Sequence, residues 1–121
     1  MDNLKVEEFE IKVTRSSPII IEWVGAVDFI DPSEVINPFT DKLADTIEGG
    51  QVVVDFTKVT YMNSSAVAPV IYLCKLFDKK NIQILMKYDW TSNWQAATFK
   101  GMETLSQLLK NLSVEPVVPS S

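Results

Sequence analysis

With 121 residues, 46% of them apolar, the chain has the size of one domain and can bury one core but not two. A net charge of −5 with no Lys/Arg cluster excludes nucleic acid as the main partner, and the same acidity disfavours direct binding to anionic lipid. The complete lack of histidine removes Ser-His catalysis, histidine general bases and nearly every transition-metal site at once.

No run of about 18 apolar residues exists to cross a bilayer, so no membrane insertion is expected. Met1-Asp2-Asn3-Leu4 lacks the basic start and apolar run of a signal peptide, which makes cytoplasm the expected location. A single cysteine, Cys74, cannot form an internal disulfide. It lies among Ile71, Leu73 and Phe77, where a packed core thiol is expected. The four glycines, at 25, 49, 50 and 101, do not make a phosphate-binding loop, and the residues imply no metal or cofactor.

Phe9, Ile11 and Val13 alternate with Glu10, Lys12 and Thr14, which predicts a half-exposed strand. After the turn signal Ser16-Ser17-Pro18, Ile19 to Val24 predicts a second strand ending at Gly25 and pairing with the first as a hairpin. Asp31-Pro32-Ser33-Glu34 looks like a helix start but Pro38 interrupts it. Asn37 as cap with Pro38 at the first position is the preferred start. Phe39, Leu43 and Ile47 then line one face, and Gly49-Gly50 ends the helix.

Val52 to Phe56 is a β-branched run and predicts a strand buried on both faces, Val53 included. A helix from about 66 to 79 follows, then a strand containing Ile82, Ile84 and Met86. Ser92 to Gln95 opens a third helix that Gly101 should stop. Thr104 to Gln107 matches a capping box for a fourth helix, with Leu105, Leu108, Leu109 and Leu112 as its apolar face. Residues 113–121, with Pro116, Pro119 and two terminal serines, are expected to be a disordered tail after a domain of residues 1–112. The order β-β-α-β-α-β-α-α predicts an α/β fold: a small mixed sheet of about four strands with helices packed against it. The unit from 52 to 86 should hold a parallel pair with a right-handed crossover.

Between the buried strand and the second helix stands Asn63-Ser64-Ser65. There Asn or Ser side chains can satisfy orphan N–H groups, and the helix dipole favours negative charge. The cluster is therefore either a simple helix cap or a cap whose serine can carry phosphate. Apolar side chains of the following helix, Ala66, Pro69 and Leu73 among them, cover more than half its circumference. Neighbouring helices or a partner protein beside Ser64 could cover the excess. Pro69 lacks an N–H and crowds the carbonyl of Ser65, so the first turn should be irregular. Trp90, Trp94 and Phe99 suggest an aromatic anchor for the third helix, or a ligand or partner platform. Asp55, with no second carboxylate near in sequence, reads as an acceptor that braces a loop.

The element order, the strand Val52–Phe56 and the motif Val59-Thr60-Tyr61-Met62-Asn63-Ser64-Ser65-Ala66 resemble the STAS domain, the fold of bacterial anti-sigma factor antagonists, over roughly residues 9 to 112. In that family the motif reads Asp-Ser-Ser/Thr-Gly, and its first hydroxyl residue is phosphorylated. The resemblance implies Ser64 as acceptor, Ser65 as second choice, and a partner surface of Asn63, Ser64, Ser65, Ala66, Pro69 and Leu73. It further implies a serine kinase/anti-sigma partner and a phosphatase, in partner-switching signal transduction that regulates transcription. Asn63 replaces the family aspartate and Ala66 its glycine. The rival implied by the same resemblance is a STAS subunit that is not phosphorylated and docks onto a larger complex such as a lipid transporter. An enzyme using Ser64 would need a lysine base, and no Ser-x-x-Lys follows the site, so no catalytic activity is expected.

Overall fold

The computed structural model describes residues 3–119. Its strands are β1 (Leu4–Val6), β2 (Phe9–Thr14), β3 (Ile19–Val27), β4 (Gln51–Met62), β5 (Gln83–Asp89) and β6 (Leu112–Val117). The helices are α1 (Pro32–Asp45), α2 (Val67–Lys79) and α3 (Asn93–Ser106), with a single 3₁₀ turn at Ser64–Ala66 leading into α2. All six strands form one mixed sheet whose spatial order, β1-β2-β3-β4-β5-β6, repeats their order in the chain. β1 to β3 pair antiparallel and β3 to β6 pair parallel, so the predicted hairpin and parallel pair are both present.

That order decides where the core lies. Three successive crossovers, each right-handed and each moving one strand in the same direction, bring α1, α2 and α3 to one face of the sheet. Phe9, Ile11, Ile21, Trp23, Val52, Val54, Phe56, Ile84 and Met86 point into that layer and are buried. Residues of opposite parity, such as Ile20, Glu22, Val53, Asp55, Leu85 and Lys87, are half-buried on the other face, which no helix covers. The strand over 52–56 is thus buried on one face only, and the expectation for Val53 is corrected.

Several elements differ from the sequence reading. α1 starts at Pro32, after Asp31 in a left-handed conformation, and carries Pro38 inside it. Pro38 is exposed, so the carbonyl its ring leaves unpaired, that of Glu34, can be hydrated. The helix ends at Asp45, before Gly49-Gly50. α3 passes through Gly101, which faces open space and costs only about 1 kcal/mol relative to alanine. The fourth helix is absent among the described residues, and Leu108 is exposed in the turns that end α3. Residues 113–117, expected to be disordered, form the edge strand β6. An edge tolerates Pro116, and the missing strands explain why about four were expected. Ser120 and Ser121, also assigned to the tail, lie outside the described residues.

β4 is the longest strand because it continues through an irregularity. Its register against β3 shifts between Glu22 and Val24, and β5 pairs only with Gln51 to Asp55. Asp55 braces the shift as the sequence suggests, its Oδ1 accepting from Thr57 N (2.8 Å) and Thr57 Oγ1 (2.7 Å). Beyond β5, the side chain of Gln95 replaces the missing neighbour strand. Its Nε2 donates to the carbonyls of Phe56 and Val59, both at 3.0 Å, and its Oε1 accepts from Asp89 N at 2.9 Å. Gln95 is 1% exposed.

Phe99 anchors α3, but its ring partners are Phe56 and Tyr88 rather than the two tryptophans. Trp94 is only partly buried and Trp90 is exposed, so the expected aromatic triad does not form.

Candidate functional site

Past Phe56, β4 keeps only β3 as a partner, and the pair projects as a two-stranded tip. Asn63 follows at the end of that tip, at the carboxyl end of a parallel strand. Its N–H donates to Val27 O (2.9 Å), and its side-chain Nδ2 donates to Phe29 O (3.2 Å). These two bonds tie the start of the 3₁₀ turn to the loop between β3 and α1. A residue at position 63 therefore holds two loops together.

The side chain does not cap the helix. No hydrogen bond runs from it to the first turn; the backbone carbonyl of Asn63 instead accepts from Ala66 N at 3.0 Å. With Nδ2 committed to Phe29, the Oδ1 atom is buried and has no partner. The capping role expected of Asn63 is thus replaced by a bridging role that aspartate could not fill, since a carboxylate has no N–H to give a carbonyl.

Ser64 and Ser65 are exposed on the 3₁₀ turn, and the Ser64 hydroxyl makes no hydrogen bond among the described residues. The turn has the irregular geometry expected ahead of Pro69, which offers no N–H to the carbonyl of Ser65. From Val67 the helix is regular. Serine thus stands at the positive end of a helical segment that runs to Lys79.

The other expected contact residues do not reach the surface. Ala66 is 0% and Leu73 is 1% exposed, and Pro69 is buried. They face the core, and α1 packs beside α2, with the hydroxyl of Tyr72 donating to Asp41 across the two helices. A neighbouring helix, not a partner protein, covers the excess apolar arc. Cys74 is buried on that same inner side, and burial pushes its thiol up to about 12.

The accessible apolar groups at this end are ones the sequence reading passed over. Ile30 is 89% exposed, one residue from the carbonyl that Asn63 holds, and Tyr61 is 52% exposed on the projecting tip. Asp28 and Asp31 are exposed on either side of the Phe29-Ile30 pair. The signal available was the local pattern Asp28-Phe29-Ile30-Asp31 before Pro32, two apolar residues enclosed by acids in a loop. Asp28, Ile30, Asp31, Tyr61, Ser64 and Ser65 are among the exposed residues that these two tied loops present.

Among the described residues no cluster of three or more histidine, cysteine, aspartate or glutamate side chains could hold a metal ion. No helix is long and apolar enough to cross a membrane.

The family model of the STAS domain matches residues 9–88, a span that runs from β2 into β5 and includes the Asn63-Ser64-Ser65 turn. Among solved structures, the chain is similar to an uncharacterized DUF3478-family protein with a SpoIIAA-like fold from Shewanella loihica PV-4. That likeness has a TM-score of 0.56 at 12% identity and covers 93% of this chain and 89% of the other. No curated protein matches the chain.

Proposed function

The chain belongs to the STAS domain family, and from that premise we propose that it is a regulatory protein-binding module of the anti-sigma factor antagonist kind, switched by phosphorylation of Ser64. The observation that carries this reading is the position of Ser64: exposed, unpartnered and at the start of a helical segment. A kinase can reach such a hydroxyl, and the helix N-terminus offsets part of the new charge of about −1.5 to −2. The phosphate would join a surface that also presents exposed Ile30 and Tyr61 with Asp28 and Asp31, so a partner resting on this end would have to desolvate it to bind. Phosphorylation then ends the contact without disturbing the fold. Neither role needs a catalytic base, and the module is proposed to be non-enzymatic.

Asn63 supports the rival, a docking subunit that is never phosphorylated, because the family's acidic neighbour of the acceptor is absent. Pull-down of binding proteins with mass spectrometry, followed by incubation with the captured serine kinase and ATP, separates the two. A gain of about 80 Da, one phosphate, that disappears in Ser64→Ala is the expected result. No gain in wild type or in Asn63→Asp, with a transporter subunit as the captured protein, would replace the switch by constitutive docking.

A further inference from the structure

The uncovered face of the sheet carries a pattern that becomes visible once the register is known. Side chains directly across neighbouring strands form two rows at right angles to the strands. One row is Thr14, Ile20, Val53, Leu85 and Ser113, apolar in its middle three places. The next is Lys12, Glu22, Asp55, Lys87 and Glu115, in the sign order plus, minus, minus, plus, minus. Glu22 and Asp55 are like charges directly opposite each other, an arrangement that disfavours the isolated sheet. Some of the row is compensated within the chain, by Lys58 Nζ to Glu22 Oε2 at 2.9 Å and Lys87 Nζ to Glu115 Oε1 at 3.9 Å.

Taken from either end, the charged row is its own complement about Asp55. A two-fold axis running along β4, between two such faces, reverses the row on the second copy. Lys12 then meets Glu115 of the other copy and Glu22 meets Lys87, each pair occurring twice. In the apolar row Ile20 meets Leu85, Val53 meets Val53, and Thr14 meets Ser113. Lys58, at the next place on β4, is committed to Glu22 of its own chain, its Nζ donating to Oε2. The two Asp55 carboxylates at the axis are the one like-charge pair of the row, and Oδ1 of each already accepts from Thr57 N and Thr57 Oγ1. An axis along the row instead of the strand would stack every charge on its own copy, so the pattern selects one symmetry.

We propose that the open face of the sheet is a self-association surface, on which a second copy of this chain packs about a two-fold axis parallel to β4. The occupant is a second copy because the complementarity is of the face to itself. Such an interface is isologous, and each contact on one side is repeated on the other. Five strands at about 4.8 Å and five residues at about 3.4 Å give roughly 400 Å² of flat sheet per copy. That is the size class of weak, reversible contacts, and a dissociation constant of roughly 0.01–1 mM is expected. The face is separate from Ser64, which projects beyond the end of the sheet, so the dimer does not depend on the switch.

Sedimentation velocity at physiological ionic strength, from about 0.01 to 1 mM protein, tests it. Wild type should pass from monomer to dimer across that range. Glu22→Lys and Lys87→Glu each place two like-charge pairs in the interface, and each should weaken association at least about tenfold. An equimolar mixture of the two variants should recover it, because the heterodimer again sets Lys against Glu at both places, 22 of one copy facing 87 of the other. That recovery requires both variants to be folded and cannot arise from damage to either chain. A wild type that stays monomeric to the top of the range overturns the proposal. So do single variants that associate as wild type does, or a mixture that associates no better than its components.

Discussion

Two carboxamide side chains, Gln95 and Asn63, each join segments distant in sequence at the carboxyl end of the sheet, yet they are completed to different degrees. Gln95 uses both Nε2 hydrogens and its Oε1, is buried, and fills the gap where β4 runs on without β5. Asn63 spends one hydrogen on Phe29 O and leaves Oδ1 without a partner, and it is only half-buried. The first is a clamp whose atoms are all used. The second is a tie beside exposed serines, in the region of the molecule where β4 has lost one neighbour. The exposed serines thus lie where the fold is completed least.

The largest effect that could break this contrast is expected at the clamp. Gln95→Leu keeps the volume but strands the carbonyls of Phe56 and Val59 and the N–H of Asp89, and should cost about 3–5 kcal/mol in denaturant unfolding. A loss under about 1 kcal/mol would show that water replaces the clamp and that the two amides are equivalent.

Next in size is the anchoring of α2, the helix that follows the serines. Burial raises the Cys74 thiol from 9.0 to about 12, so the folded chain keeps its proton when the unfolded chain has lost it. Stability from this group is complete below pH 9 and is lost between pH 9 and about 12, by a few kcal/mol at the upper end. Cys74→Ala should flatten that stretch of the alkaline unfolding profile while lowering stability at neutral pH through its cavity. An unchanged alkaline slope would mean that Cys74 reaches solvent in the native state.

A smaller effect is expected at the tie. Asn63→Asp exchanges the N–H that faces Phe29 O for a carboxylate and should cost about 1 kcal/mol at neutral pH, partly offset by the helix dipole. The loss should shrink as pH falls and the new carboxyl gains a proton to donate. If the variant is equally stable at every pH, the Asn63–Phe29 bond contributes nothing. Smallest of all, Ser64→Asp should change the melting midpoint by no more than about 0.5 kcal/mol in equivalent stability, while binding to the captured partner falls at least about tenfold. Equal binding by both forms, measured by calorimetry, would remove Ser64 from the interface.

The centre of the fold was legible because its signals are local. The runs at 19–24, 52–56 and 82–86 and the helix between 66 and 79 have the right composition and length, and their order already implies a parallel pair. β6 was not legible, since Ser113, Glu115 and Pro116 suit an edge strand and a tail equally well. The second half of β4 was hidden because the shift near Thr57 and Lys58 breaks the alternation. Two Asx-Pro pairs offered themselves as the start of α1, and only packing chose Asp31-Pro32. The motif alone points to Ser64 and Ser65, and both are exposed. The partner of Asn63 stands 34 residues away, and no local pattern could name it. Ala66, Pro69 and Leu73 were placed on the surface because α1, which covers that side, is built from sequence some thirty residues earlier.

Because the sheet's spatial order is the order of the chain, the molecule can be assembled in the sequence in which it is made. The antiparallel region is complete once Val27 has left the ribosome, and each later helix and strand adds to an edge already in place. No later segment has to wedge itself between strands that have already met. A nascent chain stopped after β5 lacks an outer strand but not a middle one. The growing edge is also the exposed one, open to strand addition by any neighbouring chain until the last strand arrives. That strand carries Pro116, a residue that blunts an edge, so its arrival closes the growing side of the sheet.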